Sequence, residues 1–235
     1  MPHLSKIGGA CSQAYGFTGL IRPSVIQIDY MVAGCNGSAT SWGGIAGGLV
    51  STGSFLLKTT SSVSVTVGTS GASSTFNGIT AAGGNDTSGN DGASNPSFGG
   101  GSGATWGWDD STYTFAGGGG AGANQAGGNG SIADVVGQQQ PTSGKGGDGK
   151  QWTVNGQYYG GGHQGGTYSA PGASQFGGGN GLGAENFGGT GGGAIASYLS
   201  TAQLFTGGTV TSTGVGIAKR WFHSFPASSS LVPLY

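Results

Sequence analysis

The chain has 235 residues, of which 57 are glycine, and only 6% of its residues are charged. Its formal net charge of -1 creates no field that would attract phosphate backbones, so we expect no nucleic-acid partner. No run approaches the roughly 18 apolar residues of a membrane span, so we expect no membrane insertion. Five Trp, eight Tyr and ten Phe are too many aromatic residues for a disordered chain, and they indicate a folded protein.

Residues 1–24 form an N-terminal arm before the first predicted strand. They contain no apolar core typical of a signal peptide, so we expect synthesis in a cytoplasm. The two cysteines, Cys11 and Cys35, either form one disulfide or stay as free thiols. The free form is the commoner one in a chain that is not secreted, and we assign neither thiol a function.

Residues 25–82 are predicted to form a β-framework. The stretches "SVIQIDYMVAG" (24–34) and "SFLLKTTSSVSVTVG" (54–68) are rich in β-branched and aromatic residues. Val63, Val65 and Val67 alternate with polar residues at the period that turns one side of a strand inward. Further strands are predicted within residues 194–235, which we interpret as closing strands followed by a C-terminal tail.

Residues 83–193 contain 39 of the 57 glycines, in short runs that recur between segments of different composition. Within "GKGGDG" (144–149), counting by threes gives two sets that are all glycine and a third set of Lys145 and Asp148. A repeat of three is that of a polyproline II helix, which has no internal hydrogen bonds and must find partners in neighbouring helices. Glycine on the contact sides lets backbones approach closely enough to bond.

The sequence therefore predicts a mainly β/irregular fold in which a small β-framework carries a bundle of packed polyglycine II helices with variable loops at the ends. The stretch "FAGGGGAG" (115–122) should be a central helix, because it has small residues on every side. The stretch 144–149, with its polar third side, should lie outside. The alternative is that the glycine runs are flexible linkers. Collagen is excluded, because it needs strict glycine periodicity and abundant proline.

Three segments between the glycine runs combine Trp and Tyr with Ser, Thr, Gly and Asn: residues 104–115, 150–159 and 167–176. This composition is typical of antibody binding loops, in which rigid aromatic rings and small hydrogen-bonding groups contact a ligand. We therefore predict a recognition surface on these loops. Its candidate contact residues are Trp106, Trp108, Asp109, Tyr113, Trp152, Tyr158, Tyr159 and Tyr168. The alternative is that the aromatic rings shield the bundle ends from water.

No motif indicates an enzyme, a cofactor or a metal ion. Asp109 and Asp110 are adjacent and have no second carboxylate partner, and His163 has no nucleophile nearby in the sequence. The stretch "NDTSGNDG" (85–92) is similar to a calcium loop, but Asp91 occupies the position where glycine is required.

The C-terminal tail, "AKRWFHSFPASSSLVPLY" (218–235), concentrates Trp221, Phe222 and Phe225 beside Lys219 and Arg220. Such a cluster either folds back on the β-framework as core or anchors a protein interface. We predict that the tail and the N-terminal arm lie together, at the end opposite the aromatic loops, and dock another protein.

The order of a strand ending in "VAG", the stretch "SVSVTVGTSGASSTFNGITAAGG" (62–84), many glycine runs and the closing "GGTGGGAIASYLS" (188–200) resembles the glycine-rich domain of bacteriophage tail-fibre proteins. The resemblance covers about residues 25–200, and the distal adhesins of T-even-like phages are its functional counterpart. It implies a virion protein of the tail fibre, made in the host cytoplasm.

The resemblance also implies that the three aromatic loops bind a bacterial outer-membrane protein or a surface glycan, and that the docking partners are other fibre or tail proteins. A structural virion component without receptor contact is the first alternative. An ice-binding protein is the second, and it would need a flat, regular polar surface.

Overall fold

The computed structural model describes residues 24–38, 42–86, 89–107, 113–135, 138–169 and 192–234. In these residues the chain is almost entirely β-strand and extended backbone, with one 3-10 turn at Gly216–Ala218. The mainly β class predicted from the sequence is confirmed. All paired strands are antiparallel.

The first sheet has five strands and unites the two predicted framework regions. In the order β15-β16-β13-β1-β2, its strands are Thr209–Thr213, Arg220–Phe225, Gly193–Leu199, Val25–Ala33 and Val50–Lys58. Burial alternates along β1: Ile26 and Ile28 are buried, whereas Val25 and Gln27 are exposed. One side of this sheet therefore faces a core, which we call its inner side.

The second sheet packs on the inner side of the first. In the order β14-β17-β3-β4-β5, its strands are Phe205–Thr206, Ser229–Pro233, Val63–Thr66, Ser74–Phe76 and Ile79–Ala81. The shared core contains the fully buried side chains of Phe76, Phe205 and Phe225. The alternating Val63 and Val65 point into it, as their spacing predicted.

The prediction of an extended C-terminal arm is wrong. Strand β16 lies between two other strands of the first sheet and β17 lies between two strands of the second, so most of the tail is part of the sandwich. Phe225 is completely buried. Trp221 packs against the shared core and donates from its indole to the carbonyl of Ser200 (3.1 Å). These rings are held by ordinary core packing, because their strands alternate between the two sides of a sheet.

Residues 42–49 and 91–166 build the second half of the molecule, where extended segments pack side by side. Segment 116–123 occupies the centre, the position expected for "FAGGGGAG". In the part of the chain with described positions, six segments surround it by backbone hydrogen bonds, in this order around the centre: 42–49, 91–95, 99–103, 126–130, 143–149 and 160–166. Each of the six also bonds to the next one around the ring.

The hydrogen bonds of the central segment repeat every three residues. Bonds to segment 160–166 use the N–H groups of Gly117, Gly120 and Ala123, which donate to the carbonyls of Gly166, His163 and Gly160 at 2.7, 2.8 and 2.7 Å. Bonds from segment 143–149 use Gly144 and Gly147, which donate to the carbonyls of Gly117 and Gly120. Segment 42–49 bonds at positions 118 and 121 in the same way, and the N–H groups of Gly118 and Ala121 donate to the carbonyls of Asn90 and Ala93. Residues three apart therefore have equivalent surroundings.

Glycine is required in this bundle because the backbones are in direct contact. A Cβ atom at Gly118, Gly119 or Gly120 would lie closer than 3.0 Å to a carbonyl oxygen of a surrounding segment. Backbone atoms held by hydrogen bonds on both sides cannot move aside. The polar third side of 143–149 lies outside, as predicted: Lys145 and Asp148 form an ion pair at 3.3 Å, and the Lys145 side chain is 62% exposed.

Cys35 is buried with a free thiol, which donates to the carbonyl of Gly68. Burial raises the pKa of this thiol. Cys11 lies outside the described residues.

One buried polar network joins the two sheets. The Nδ1 of His223 lies 2.9 Å from the carbonyl oxygen of Gly207, and because a carbonyl only accepts, Nδ1 carries the proton. Nε2 then accepts from the Tyr198 hydroxyl (3.3 Å), which in turn accepts from the backbone N–H groups of Leu204 and Phe205. The network is complete only when the imidazole is neutral, and burial lowers the pKa of His223 below its ordinary value of 6.5.

We expect this histidine to make the protein less stable in acid. The unfolded chain takes up a proton near pH 6.5, whereas the folded chain resists it, so stability is fully present above that pH and is lost as the pH falls. Denaturant titrations between about pH 8 and about pH 5 should show a decrease that is smaller in His223→Gln. An equal decrease in both proteins would contradict the assignment.

We expect the bundle interior to reject a single methyl group. Gly119→Ala should lower the free energy of unfolding by about 3 kcal/mol, because the new Cβ meets backbone atoms. Gly99→Ala is the matched control, since an added Cβ there has nothing within 4 Å, and it should change stability by less than about 1 kcal/mol. Thermal or urea unfolding measures both; equal losses would refute the close-packed interior.

Candidate functional site

Two of the predicted recognition loops meet at one end of the bundle. Strand β7 (Tyr113–Ala116) lies between β6 (Ala104–Gly107) and β12 (Thr167–Ser169) in a three-stranded sheet. Trp106 is opposite Thr114 in its register, and Tyr168 is opposite Phe115. The glycine segments connect this sheet to the framework, so the loops from 104–115 and 167–169 lie at the far end, which we call the loop end.

The structure brings a third hairpin to the loop end. Strands β8 (Ser131–Val135) and β9 (Gln138–Thr142) pair with each other and contact the three-stranded sheet. Asp134 and Gln140 are exposed on it. The predicted recognition surface does not include this hairpin, because residues 131–142 contain no aromatic residue. Its position between two glycine runs was the available signal: a chain that crosses the bundle twice must turn at its end.

The candidates at the loop end remain a prediction. Trp106, Tyr113 and Tyr168 lie on its three strands. Trp108 and Asp109 fall outside the described residues, as does the rest of the loop at 170–176. The structure thus brings the strands of the two predicted loops together.

The third aromatic loop lies elsewhere. Strands β10 (Lys150–Gln151) and β11 (Tyr158–Tyr159) form a hairpin at the framework end of the bundle, and it lies on the outer side of the first sheet. Trp152 is 3% exposed and Tyr159 is 4% exposed, and both pack against Met31, Val50 and Ile195. These two rings are not accessible to a receptor. The prediction that Trp152 and Tyr159 contact a receptor is therefore wrong.

The hairpin also joins the two sites that the sequence placed at opposite ends. The ring of Trp152 meets the ring of Phe222 edge-on, with centroids 6.4 Å apart. Loop 150–159 therefore contacts the C-terminal region. Tyr158 is half-buried, and of the three aromatic residues in this loop it alone keeps partial access to solvent.

A concave surface lies beside this hairpin. It has a volume of 470 Å³ and is lined by the turn at 154–155 and by the outer side of the first sheet. Asn155 is held at its rim by two hydrogen bonds: its Nδ2 donates to the Tyr159 hydroxyl (2.8 Å), and its Oδ1 accepts from the N–H of Gln157 (3.0 Å). Burial raises the pKa of Tyr159, so its hydroxyl stays protonated.

Charged side chains are few in this protein, at 6% of its residues. No group of three or more His, Cys, Asp or Glu side chains among the described residues could hold a metal ion. The described segments also include no helix that is long and apolar enough to cross a membrane. On the outer side of the first sheet, Arg220 pairs with Asp29 at 2.6 Å and also donates to Ser197.

No protein-family model matches the chain, and no curated protein or solved structure matches it.

We expect Trp152 to contribute to stability. Trp152→Ala should lower the free energy of unfolding by about 3 to 5 kcal/mol, because it empties the contact between the hairpin and the first sheet. Tyr158→Ala, at the half-buried neighbouring position of the same hairpin, should cost about 1 kcal/mol. Urea unfolding of the two variants compares them, and a Trp152 variant as stable as the wild-type protein would place the ring on the surface.

Proposed function

We propose that the glycine segments are polyglycine II helices. The support is the period of three in their hydrogen bonds, which is the period of such a helix. The positive φ angles of the described glycines support it too, because they fall in turns and at Gly160 rather than in the central run 117–122. Each helix of about seven residues would be about 20 Å long, at about 3.1 Å per residue.

We further propose that the protein is the tip adhesin of a bacteriophage tail fibre, and that it binds without catalysis. Its partner would be an outer-membrane protein or a surface glycan of a bacterium. The observation that carries this proposal is the loop end: strands from three separate parts of the chain meet there, on a bundle whose central glycines leave no room for a Cβ atom. Connections between strands tolerate sequence change better than the elements that they join, which suits a surface that must follow a varying receptor.

The recognition residues of this proposal are Trp106, Trp108, Asp109, Tyr113 and Tyr168, with the hairpin 131–142 beside them. Aromatic side chains surrounded by small polar residues bind with large contact area at low entropic cost. Several fibres engaging one cell at once would strengthen weak single contacts.

A second candidate is a structural component of the virion, and one observation favours it. Val215 and Ile217 are 84% and 89% exposed at the tip between β15 and β16. This tip follows Thr213, which pairs with Arg220 at the end of the first sheet away from the bundle. Exposed apolar side chains on such a tip are typical of a contact with another protein. In an adhesin the same tip would attach the protein to the rest of the fibre.

We expect the loop end to determine adsorption. Purified, labelled protein should bind a subset of strains in a panel of Gram-negative bacteria. Changing Trp106, Trp108, Tyr113 and Tyr168 together to Ser should weaken binding by more than about tenfold with little change in melting temperature. The matched control, Val215→Ser with Ile217→Ser, removes apolar groups from the opposite end and should bind cells like the wild-type protein.

Two outcomes would count against the adhesin. If no strain binds the wild-type protein, the structural role is the better proposal. If the fourfold variant binds like the wild-type protein, the receptor contacts lie elsewhere on the molecule.

A further inference from the structure

The 470 Å³ cavity on the outer side of the first sheet is separate from the loop end. It is lined by Thr211 and Thr213 of β15, Phe222 and Ser224 of β16, and Val154 and Asn155 of the turn between β10 and β11. Its volume falls within the range of small-molecule sites, about 300 to 1,000 Å³.

The sheet register explains why a cavity forms here. Ser224 pairs with Thr209 and with Ile195, and Phe222 pairs with Thr211 and with Ser197, so all these residues lie on the outer side. The hairpin of Trp152 covers Ile195 but stops before the edge strand β15. The cavity therefore lies between the turn and the edge of the sheet. Phe222 is half-buried beside Trp152.

The polar groups that line the cavity are free to bind a ligand. Within the described residues, the hydroxyls of Thr211, Thr213 and Ser224 have no hydrogen-bond partner, and each can both donate and accept. The amide of Asn155 is oriented by Tyr159 and Gln157, and it keeps one N–H and one oxygen lone pair.

The lining contains no charged residue. The nearest cation in the sheet register is Arg220, opposite Thr213, and it is occupied by Asp29 and Ser197. An anionic ligand would therefore find no uncompensated positive charge among the described residues that line the cavity. The combination that remains is one aromatic ring, two aliphatic side chains, three hydroxyls and one oriented amide.

We propose that this cavity binds one uncharged sugar ring. A pyranose has an apolar C–H side that can lie on Phe222 beside Val154, and hydroxyls at its edge that both donate and accept, as the three hydroxyls and Asn155 do. The source of the sugar rests on the proposed function: if the protein is an adhesin, the sugar belongs to a glycan of the bacterial surface. We expect a weak dissociation constant, on the order of 1 mM, for a single ring.

Nuclear magnetic resonance on the ¹⁵N-labelled full chain tests this. The probes are methyl α-D-glucopyranoside, methyl β-D-galactopyranoside and N-acetyl-D-glucosamine, with N-acetylneuraminic acid as the anionic comparison. At least one neutral sugar should shift the Trp152 indole signal and the amide signals around residues 154–155, 211–213 and 222–224. N-acetylneuraminic acid should bind no more tightly.

Cavity-filling variants locate the site. Thr211→Trp should weaken sugar binding by more than about tenfold, because the indole occupies the space of the ring. Thr213→Trp fills the same space from the next outward-facing position, and it replaces Thr211→Trp if that variant misfolds. Ser212→Trp is the matched control: it changes the exposed residue between them, which lies on the other side of the edge strand, and binding should be unchanged.

The proposal is overturned if no neutral sugar shifts these signals at about 20 mM, well above the expected dissociation constant, or if a well-folded Thr211→Trp binds like the wild-type protein. Cell adsorption is measured on the same variants. No sugar binding with intact adsorption overturns the cavity site and leaves the adhesin standing. Sugar binding without adsorption to any strain supports the cavity site and contradicts the adhesin.

Discussion

Everything in this protein depends on the close approach of backbones around segment 116–123. An added Cβ on its glycines would meet carbonyl oxygens of segments 42–49, 99–103 and 143–149. The same close approach lets its N–H and C=O groups bond to all six of the surrounding segments that the structure describes. A single such bond adds only about 0.5 to 1.5 kcal/mol, while ordering a residue's backbone costs about 1 to 2 kcal/mol. The arrangement is therefore stable only when nearly every amide of the centre has a partner, which is what a closed ring of six provides.

The bundle does not stand alone, because the β-sandwich anchors the ends of its segments. Strands β1 and β2 connect directly to segments 34–38 and 42–49, and β13 follows Gly192, whose added Cβ would meet Cys35. The sandwich has an ordinary aromatic core around Phe76, Phe205 and Phe225. Hydrophobic burial in the sandwich thus holds the ends of the glycine segments together. This reduces the conformational entropy that these segments would otherwise lose on ordering.

The two proposed sites use different physical arrangements. At the loop end, short strands from three parts of the chain project beyond a rigid bundle, and this favours variable contacts with a large partner. On the outer side of the first sheet, a cavity is built from side chains in strand register, and this favours a small ligand with fixed geometry. Trp152 was expected at the recognition surface of the loop end. It is instead buried beside Phe222, where it supports the wall of the cavity.

The sequence by itself determined the features that depend on local chemistry. Alternating valines predicted the sandwich strands, triplet spacing predicted which glycine stretch lies at the centre, and Lys145 with Asp148 marked an outer side. Only the tertiary structure decided where each aromatic residue lies. Composition cannot distinguish a Trp on a loop tip from one packed on a sheet, so Trp152 and Tyr159 were expected outside and Phe225 on a docking arm. Their burial follows from strand pairing between residues far apart in the chain, Ala194 with Phe225 among them, and no local pattern records such a pairing.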